Sequence, residues 1–237
     1  MARMKKISKK KLKEPDEFIS FTERAFLWVT KHSKKIVLGG IIVFVIALSV
    51  FVFQKWEASK EEEAHRKFSS AMEMLRMASS PYQEESTSVY QNLSERFAEI
   101  IKKFPRTSSG RLSLLYKGNV QLRIGEFEEA AKSYEAFLRK GPKERLYRAF
   151  ALEGLAYSYE GKREYEKALE NYQKIVEGGE TFQLPNAYLG LGRCYEKLNK
   201  KKEALENYRA FLKLSQKSSM TNAVLRKISI LENMTGQ

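Results

Sequence analysis

Residues 152–175 read LEGLAYSYEGKREYEKALENYQKI, and this stretch decides the fold. Its apolar and aromatic residues recur at intervals of three or four positions, as in Leu152 and Leu155 and again in Ala168 and Tyr172. Such spacing places these side chains on one face of an α-helix and leaves the charged residues on the other. The stretch is therefore predicted to be helical throughout most of its length.

The same pattern occurs three times, and the units are predicted near 111–142, 149–180 and 185–216. Their equivalent alanines, Ala130, Ala168 and Ala204, lie 38 and then 36 residues apart. Each unit also has a small residue early and a tyrosine late, so that closely packed helices leave a space that the ring fills. These pairs are Gly118 with Tyr134, Ala156 with Tyr172, and Gly192 with Tyr208.

Together these positions resemble the tetratricopeptide repeat, a 34-residue helix–turn–helix unit with the pattern Trp-x2-Leu-Gly-x2-Tyr, then Ala, an aromatic residue and Pro. The resemblance covers most of residues 85–216 and implies an all-α helical solenoid. The first unit departs from the pattern at Lys117, where Leu is expected, and at Gln121, where Tyr is expected. The second and third units lack the closing proline.

More degenerate elements flank the three units and complete a predicted repeat domain over residues 55–237. A charged helix over 56–77, with Phe68 and Leu75 in its apolar stripe, is expected to pair with a helix containing Tyr90 and Phe97. This first unit would span 56–105, with an insertion around 81–87. Residues 221–231 are predicted to form a capping helix that covers the last apolar face of the solenoid.

Ahead of the repeats, residues 36–53 carry no charge and have Ser49 as their one polar side chain. A helix of this length, with its flanks, matches a hydrocarbon core of about 30 Å. Residues 36–54 are therefore predicted to be a transmembrane anchor, and a buried core helix is the alternative interpretation. A cleaved signal peptide is a further alternative, but its apolar region usually has about 7 to 15 residues and ends at a small-residue cleavage site.

The charge distribution predicts the orientation of this anchor. Residues 1–35 contain eleven Lys or Arg and four Asp or Glu, which favours a cytoplasmic amino terminus and a periplasmic repeat domain. Within this basic head, residues 1–13 are predicted to be disordered near anionic lipid. Residues 16–31 are predicted to form a short amphipathic helix at the inner interface or, alternatively, an extension of the transmembrane helix.

Composition argues against an enzyme. The chain has two histidines, one cysteine and one aspartate, and the aspartate, Asp16, is in the head. No catalytic residue, metal ligand or cofactor site is predicted, because catalytic and metal sites need such residues in clusters. Cys194 is expected to be a small buried apolar residue. The net charge of +14 raises the possibility of nucleic-acid binding. However, half of this charge lies in the head and the rest alternates with Glu, so no nucleic-acid partner is predicted.

The resemblance to tetratricopeptide repeats implies a partner-binding groove formed by the first helix of each unit. Arg123 and Arg193 would offer guanidinium groups there to a carboxylate or to carbonyl oxygens of a partner. The clamp for a terminal carboxylate found in chaperone-type repeats is not implied, because Leu115, Gly154 and Gly190 occupy three of its positions. The positions carried over to the groove are Asn119, Leu122, Arg123, Glu153, Tyr157, Glu160, Asn186, Leu189, Arg193 and Glu196.

The layout of basic head, single anchor and external repeats is similar to that of the ancillary Sec translocon subunits of the bacterial inner membrane, the YfgM-like proteins. That resemblance implies a single-pass inner-membrane protein whose repeat domain binds translocon subunits, periplasmic chaperones or emerging secreted chains. A scaffold for envelope assembly or cell division is the alternative. The sequence predicts neither the partner's identity nor the oligomeric state.

Overall fold

The computed structural model describes residues 17–80, 86–179, 181–215 and 219–235. Within these ranges the chain forms ten α-helices and no strand, which confirms the all-α prediction. The tract 1–13 and most of the predicted insertion at 81–87 lie outside the described residues. The helices are α1 (Glu17–Lys31), α2 (Ser33–Ala78), α3 (Thr87–Lys103), α4 (Ser108–Arg123), α5 (Phe127–Lys140), α6 (Arg145–Gly161), α7 (Tyr165–Gly178), α8 (Leu184–Lys197), α9 (Lys201–Leu214) and α10 (Thr221–Thr235).

The chain divides into two compact units, residues 1–58 and 59–237. In the first unit, α1 and α2 are separated by a single turn residue, His32. Helical hydrogen bonding continues through this residue, because the His32 amide donates to the Trp28 carbonyl at 3.0 Å and the Ile36 amide donates to the His32 carbonyl at 2.9 Å. A helix is therefore present over residues 17–31 of the expected 16–31, and its backbone leads into the apolar segment without a loop.

Helix α2 runs for 46 residues from Ser33 to Ala78. The sequence had suggested an apolar helix followed by a separate charged one, but no proline or glycine occurs between residues 41 and 78 to interrupt the backbone. A change of polarity alone does not end a helix. Among the described residues, α2 is the one helix long and apolar enough to cross a membrane by length and composition.

In the second unit the helices pack in chain order, each on the next, from α3 to α10. The carboxyl-terminal part of α2 packs on α3, where Phe68 lies 6.2 Å from Phe97 between ring centres. The Tyr90 hydroxyl donates to the Ala78 carbonyl at 3.0 Å and so fixes α3 against the end of α2. Contacts between α4 and α6, and between α6 and α8, place the first helices of successive units side by side.

The tyrosines of the repeats are the centre of the packing. Tyr134, Tyr172 and Tyr208 are fully buried, as the sequence predicted. Glycines of two helices approach the first ring closely: a Cβ on Gly118 would lie 2.8 Å from Tyr134, and one on Gly154 would lie 2.3 Å from it. Each ring thus occupies a space that only glycine or alanine leaves open.

The turn inside each unit repeats a left-handed backbone conformation. Gly125, Arg163 and Asn199 stand at equivalent positions and have φ angles of 79°, 62° and 57°. Glycine adopts this conformation without a steric penalty and asparagine tolerates it, whereas for arginine it is strained. The geometry of the turn is therefore imposed by the packing of the two helices rather than by the local sequence.

Helix α4 begins at Ser108, three residues before the predicted start of the first full unit. Thr107 caps it by accepting a hydrogen bond from the Gly110 amide at 3.0 Å. The Glu61 carboxylate of α2 also accepts from the Ser108 amide at 2.8 Å and the Ser109 amide at 3.2 Å. A carboxylate at a helix amino terminus satisfies unpaired amides and complements the helix dipole. This contact ties the beginning of the repeat domain to its second pair of helices.

Candidate partner-binding groove

All ten predicted groove residues lie on or directly at the end of α4, α6 and α8, the three helices that stand side by side. We call the face that these helices form the groove face. Its side chains differ along the array: a carboxylate–cation pair joins α6 to α8 and another joins α8 to α10, whereas no such pair joins α4 to α6 among the described residues.

Between the second and third full units, a carboxylate is held by a tyrosine and an arginine. Glu160 accepts a hydrogen bond from the Tyr172 hydroxyl at 2.6 Å and two from the Arg193 guanidinium at 2.6 and 3.0 Å. The guanidinium also lies 5.2 Å from the centre of the Tyr157 ring. Burial works to lower the pKa of Arg193, but hydrogen bonding and the charge of Glu160 outweigh it, so this pKa is raised. Arg193, expected to bind a partner's carboxylate, is bound by a carboxylate of its own chain.

The same arrangement recurs one unit later. The Tyr208 hydroxyl donates to Glu196 at 2.6 Å, and the Lys227 ammonium donates to the same carboxylate at 2.7 and 2.9 Å. Lys227 belongs to α10, so the capping helix supplies the cation that a further repeat would supply. Burial works to raise the pKa of Glu196, but the hydrogen bonds from Lys227 and Tyr208 prevail and lower it.

The contact between the first and second full units lacks this pair. Leu122 stands where the later units have Glu160 and Glu196, and Tyr157 stands where the third unit has Arg193. The Tyr134 hydroxyl donates instead to the Asn119 side-chain oxygen at 2.7 Å. A cavity of about 350 Å³ opens here. Its lining residues are Leu115, Tyr116, Asn119, Leu122, Tyr134, Tyr147, Phe150, Glu153, Gly154 and Tyr157.

Glu153 is the one carboxylate in the lining of this cavity. Its equivalents in the neighbouring units are leucines, Leu115 and Leu189, which are 3% and 8% exposed. Burial raises the pKa of Glu153, while a hydrogen bond with Asn186 and the charge of Arg193 work in the opposite direction. An ionisable group thus occupies a position that the other units fill with a buried apolar side chain.

The structure therefore divides the predicted residues into groups. Asn119, Leu122, Glu153 and Tyr157 meet at the cavity, whereas Glu160, Arg193 and Glu196 form the charged contacts. Arg123 is exposed, with its guanidinium 5.0 Å from the Tyr90 ring centre, and Leu189 belongs to the core around Tyr208. Asn186 is exposed, and its side-chain amide lies 3.5 Å from the Gln183 side-chain oxygen.

The sequence pattern did not predict two kinds of position in the candidate site. Three aromatic residues of the cavity, Tyr116, Tyr147 and Phe150, were not assigned to the groove. For Phe150 a signal existed, because it is 36 residues before Asn186 and so occupies the same position in its unit. Lys227 carried no such signal, since its role depends on how α10 lies against α8.

The residues of the described ranges contain no group of three or more His, Cys, Asp or Glu that could hold a metal ion. Cys194 is fully buried on α8, and this burial raises the pKa of its thiol to about 12. His65 lies on α2 with its ring nitrogen 3.5 Å from the Ser69 hydroxyl.

A sequence model of the tetratricopeptide repeat-like domain family matches residues 27–233. The fold is similar to the crystal structure of MamA, with a TM-score of 0.54 and 17% identity over 63% of this chain and 80% of that chain. It is also similar to a tetratricopeptide repeat protein from Parabacteroides merdae, with a TM-score of 0.57 and 22% identity over 74% of this chain and 61% of that chain. No curated protein matches the sequence.

Proposed function

Because the chain belongs to the tetratricopeptide repeat-like domain family, whose members act as protein-interaction scaffolds, we propose that it is a membrane-anchored scaffold that binds other proteins through its groove face. The observation that carries this proposal is the open cavity between α4 and α6. Glu160, Arg193 and Glu196 are already held in ion pairs within the chain, so this concave, largely aromatic opening is the place where a partner gains most from binding.

The proposal extends to location. The apolar part of α2 and the excess of basic residues before it support a single-pass anchor in a bacterial inner membrane, with the repeats on the periplasmic side. A reporter that is active only outside the cytoplasm should work when it is fused after Gln237. It should fail when fused within the first thirty residues. The reverse pattern would overturn the orientation.

For the process served, we propose that the scaffold assists secreted-protein translocation or periplasmic chaperoning. The support is the layout of head, anchor and repeats, which resembles the ancillary translocon subunits. Site-specific photocrosslinking in intact cells tests it, with the photoreactive residue replacing Leu122 in the cavity. A matched control replaces Lys174, which is exposed on α7.

Crosslinks from position 122 to translocon subunits, periplasmic chaperones or emerging chains would support the proposal. Crosslinks to wall or outer-membrane machinery would favour the alternative, a scaffold for envelope assembly. If position 174 captures the same partners and position 122 captures none, the binding surface is not the groove face.

A further inference from the structure

The cavity between α4 and α6 is lined by several aromatic side chains and one carboxylate. Tyr147, Phe150 and Tyr157 are half-buried, and the Glu153 side chain lies among them in the lining. A cation is attracted to the face of an aromatic ring by about 0.5 to 2 kcal/mol, and the attraction grows as the site is desolvated. A cavity lined by aromatic rings and a carboxylate is therefore suited to a positively charged group that also has an apolar stem.

The repeat fold does not require a charge at the position of Glu153, because the equivalent positions of the other two units are leucines. Leu115 and Leu189 show that the fold accepts an apolar residue at this position of the unit, and both are buried. An ionised carboxylate in such surroundings is unfavourable unless a cation or hydrogen bonds compensate it. Within the chain, Asn186 and Arg193 provide partial compensation, and Arg193 is already bound to Glu160.

Other ligand chemistries fit the cavity less well. An anionic side chain would bring a second negative charge beside Glu153. A purely apolar side chain would bury the carboxylate further without pairing it. A cation with an aliphatic stem satisfies both parts of the lining, because its methylene groups contact the rings while its head approaches the carboxylate.

We propose that this cavity receives the side chain of an arginine or lysine from a protein partner, with the cationic head against Glu153 and the stem among Tyr147, Phe150 and Tyr157. This rests on the proposed function and names the chemistry of the partner. The proposed ligand group is positively charged, whereas the clamp of chaperone-type repeats binds a negatively charged terminal carboxylate. Burial raises the pKa of Glu153 in the free protein, and a bound cation would lower this pKa again, because an adjacent positive charge favours the ionised form.

The experiment uses the full chain in detergent micelles and a set of immobilised peptides, Ala-Phe-X-Phe-Ala, in which X is arginine, lysine, citrulline, norleucine or glutamate. Citrulline keeps nearly the shape of arginine without its charge, and norleucine keeps the aliphatic stem of lysine without its ammonium group. We expect at least about tenfold tighter binding for the two cationic peptides than for their neutral counterparts, with the glutamate peptide weakest.

Two variants of the same side chain test the assignment. Glu153→Gln removes the charge. Glu153→Leu introduces the residue found at the equivalent position of the other units, so the leucine variant should fold at least as stably as the wild type. Both should abolish the discrimination between arginine and citrulline. The matched control, Glu166→Gln, removes an equal charge from an exposed position of α7 and should leave the discrimination unchanged.

The outcomes separate this inference from the proposed function. If the peptides bind in a way that Leu122→Asp abolishes, but arginine and citrulline bind equally, the groove proposal stands and the cation inference is overturned. Persistent discrimination in both Glu153 variants also overturns it. If free methylguanidinium binds as tightly as the arginine peptide, the occupant is a small cation rather than a partner's side chain. If no peptide binds, the proposed groove function and this inference fail together.

Discussion

The replacement Gly190→Ala tests whether the tyrosine packing holds neighbouring units together. A Cβ at Gly190 would lie 2.3 Å from Cζ of Tyr172 and 2.5 and 2.6 Å from the two ε carbons of the ring. Carbon atoms pack at about 3.5 to 4.0 Å, so the ring would have to retreat by more than about 1 Å. Tyr172 is fully buried, and its hydroxyl donates to Glu160 at 2.6 Å, so the ring cannot retreat without straining this hydrogen bond.

The free-energy change follows from three contributions. Overpacking commonly costs about 1 to 3 kcal/mol. Complete loss of a hydrogen bond to a charged group would add about 1.5 to 3 kcal/mol to this cost, and weakening it adds less. Alanine's greater helix propensity returns about 1 kcal/mol. We therefore expect Gly190→Ala to destabilise the domain by about 2 to 4 kcal/mol.

The assay is urea unfolding of residues 59–237, the second compact unit, with far-ultraviolet circular dichroism as the measure of helix content. The control is Gly178→Ala at the end of α7, where an added Cβ has no neighbour within 4 Å. That change should raise stability or leave it within about 0.5 kcal/mol. A second control combines Gly190→Ala with Tyr172→Leu, which should cost less than the sum of the two single changes. If Gly190→Ala is as stable as Gly178→Ala, the packing explanation is wrong.

Three further predictions concern single positions of the repeats. Arg163→Gly should raise the stability of the same fragment by about 0.5 to 1 kcal/mol, because glycine removes the strain of a positive φ. Asn199→Gly should raise the stability by less, and a loss of stability in Arg163→Gly would contradict the explanation. Iodoacetamide should alkylate Cys194 about 10³-fold more slowly in the folded protein than in urea at equal pH, because the thiol is buried and burial raises its pKa to about 12. Mass spectrometry measures the two rates, and similar rates would refute the burial. The pKa of Glu196 is lowered in the folded state, so its contribution to the free energy of unfolding is fully present above the unfolded-state pKa and is lost as the pH falls through the folded-state pKa. Glu196→Gln should therefore reduce the fall in stability at the acid end of a stability–pH curve. An unchanged fall would exclude this carboxylate as its cause.

The sequence predicted the parts of the fold that depend on side-chain volume. Tyr134, Tyr172 and Tyr208 recur with their small partners because close helix packing requires those volumes at fixed spacing. The continuity of α2 was not predicted, because the boundary near residue 55 was placed at a change of polarity, and polarity does not control backbone hydrogen bonding.

The helices that carry the candidate groove residues were predictable from the sequence, whereas the pairing of their side chains was not. Equivalent positions in the repeats placed Asn119, Glu153 and Tyr157 on neighbouring helices, and the structure brings all three to one cavity. Which groups neutralise one another depends on the rotation between successive units, which no local pattern encodes. For that reason the pairing of Arg193 with Glu160 emerged only from the structure.

The apolar contact between Leu122 and the unit that follows has a consequence for register. An array of identical repeats offers an extended ligand several equivalent positions, so the ligand can shift by one unit without loss. Here the carboxylate–cation pairs at Glu160 and Glu196 have no counterpart at Leu122, so the translational symmetry of the array is broken at this contact. If the groove face binds an extended segment, we expect this contact to favour one registration of the segment along the helices.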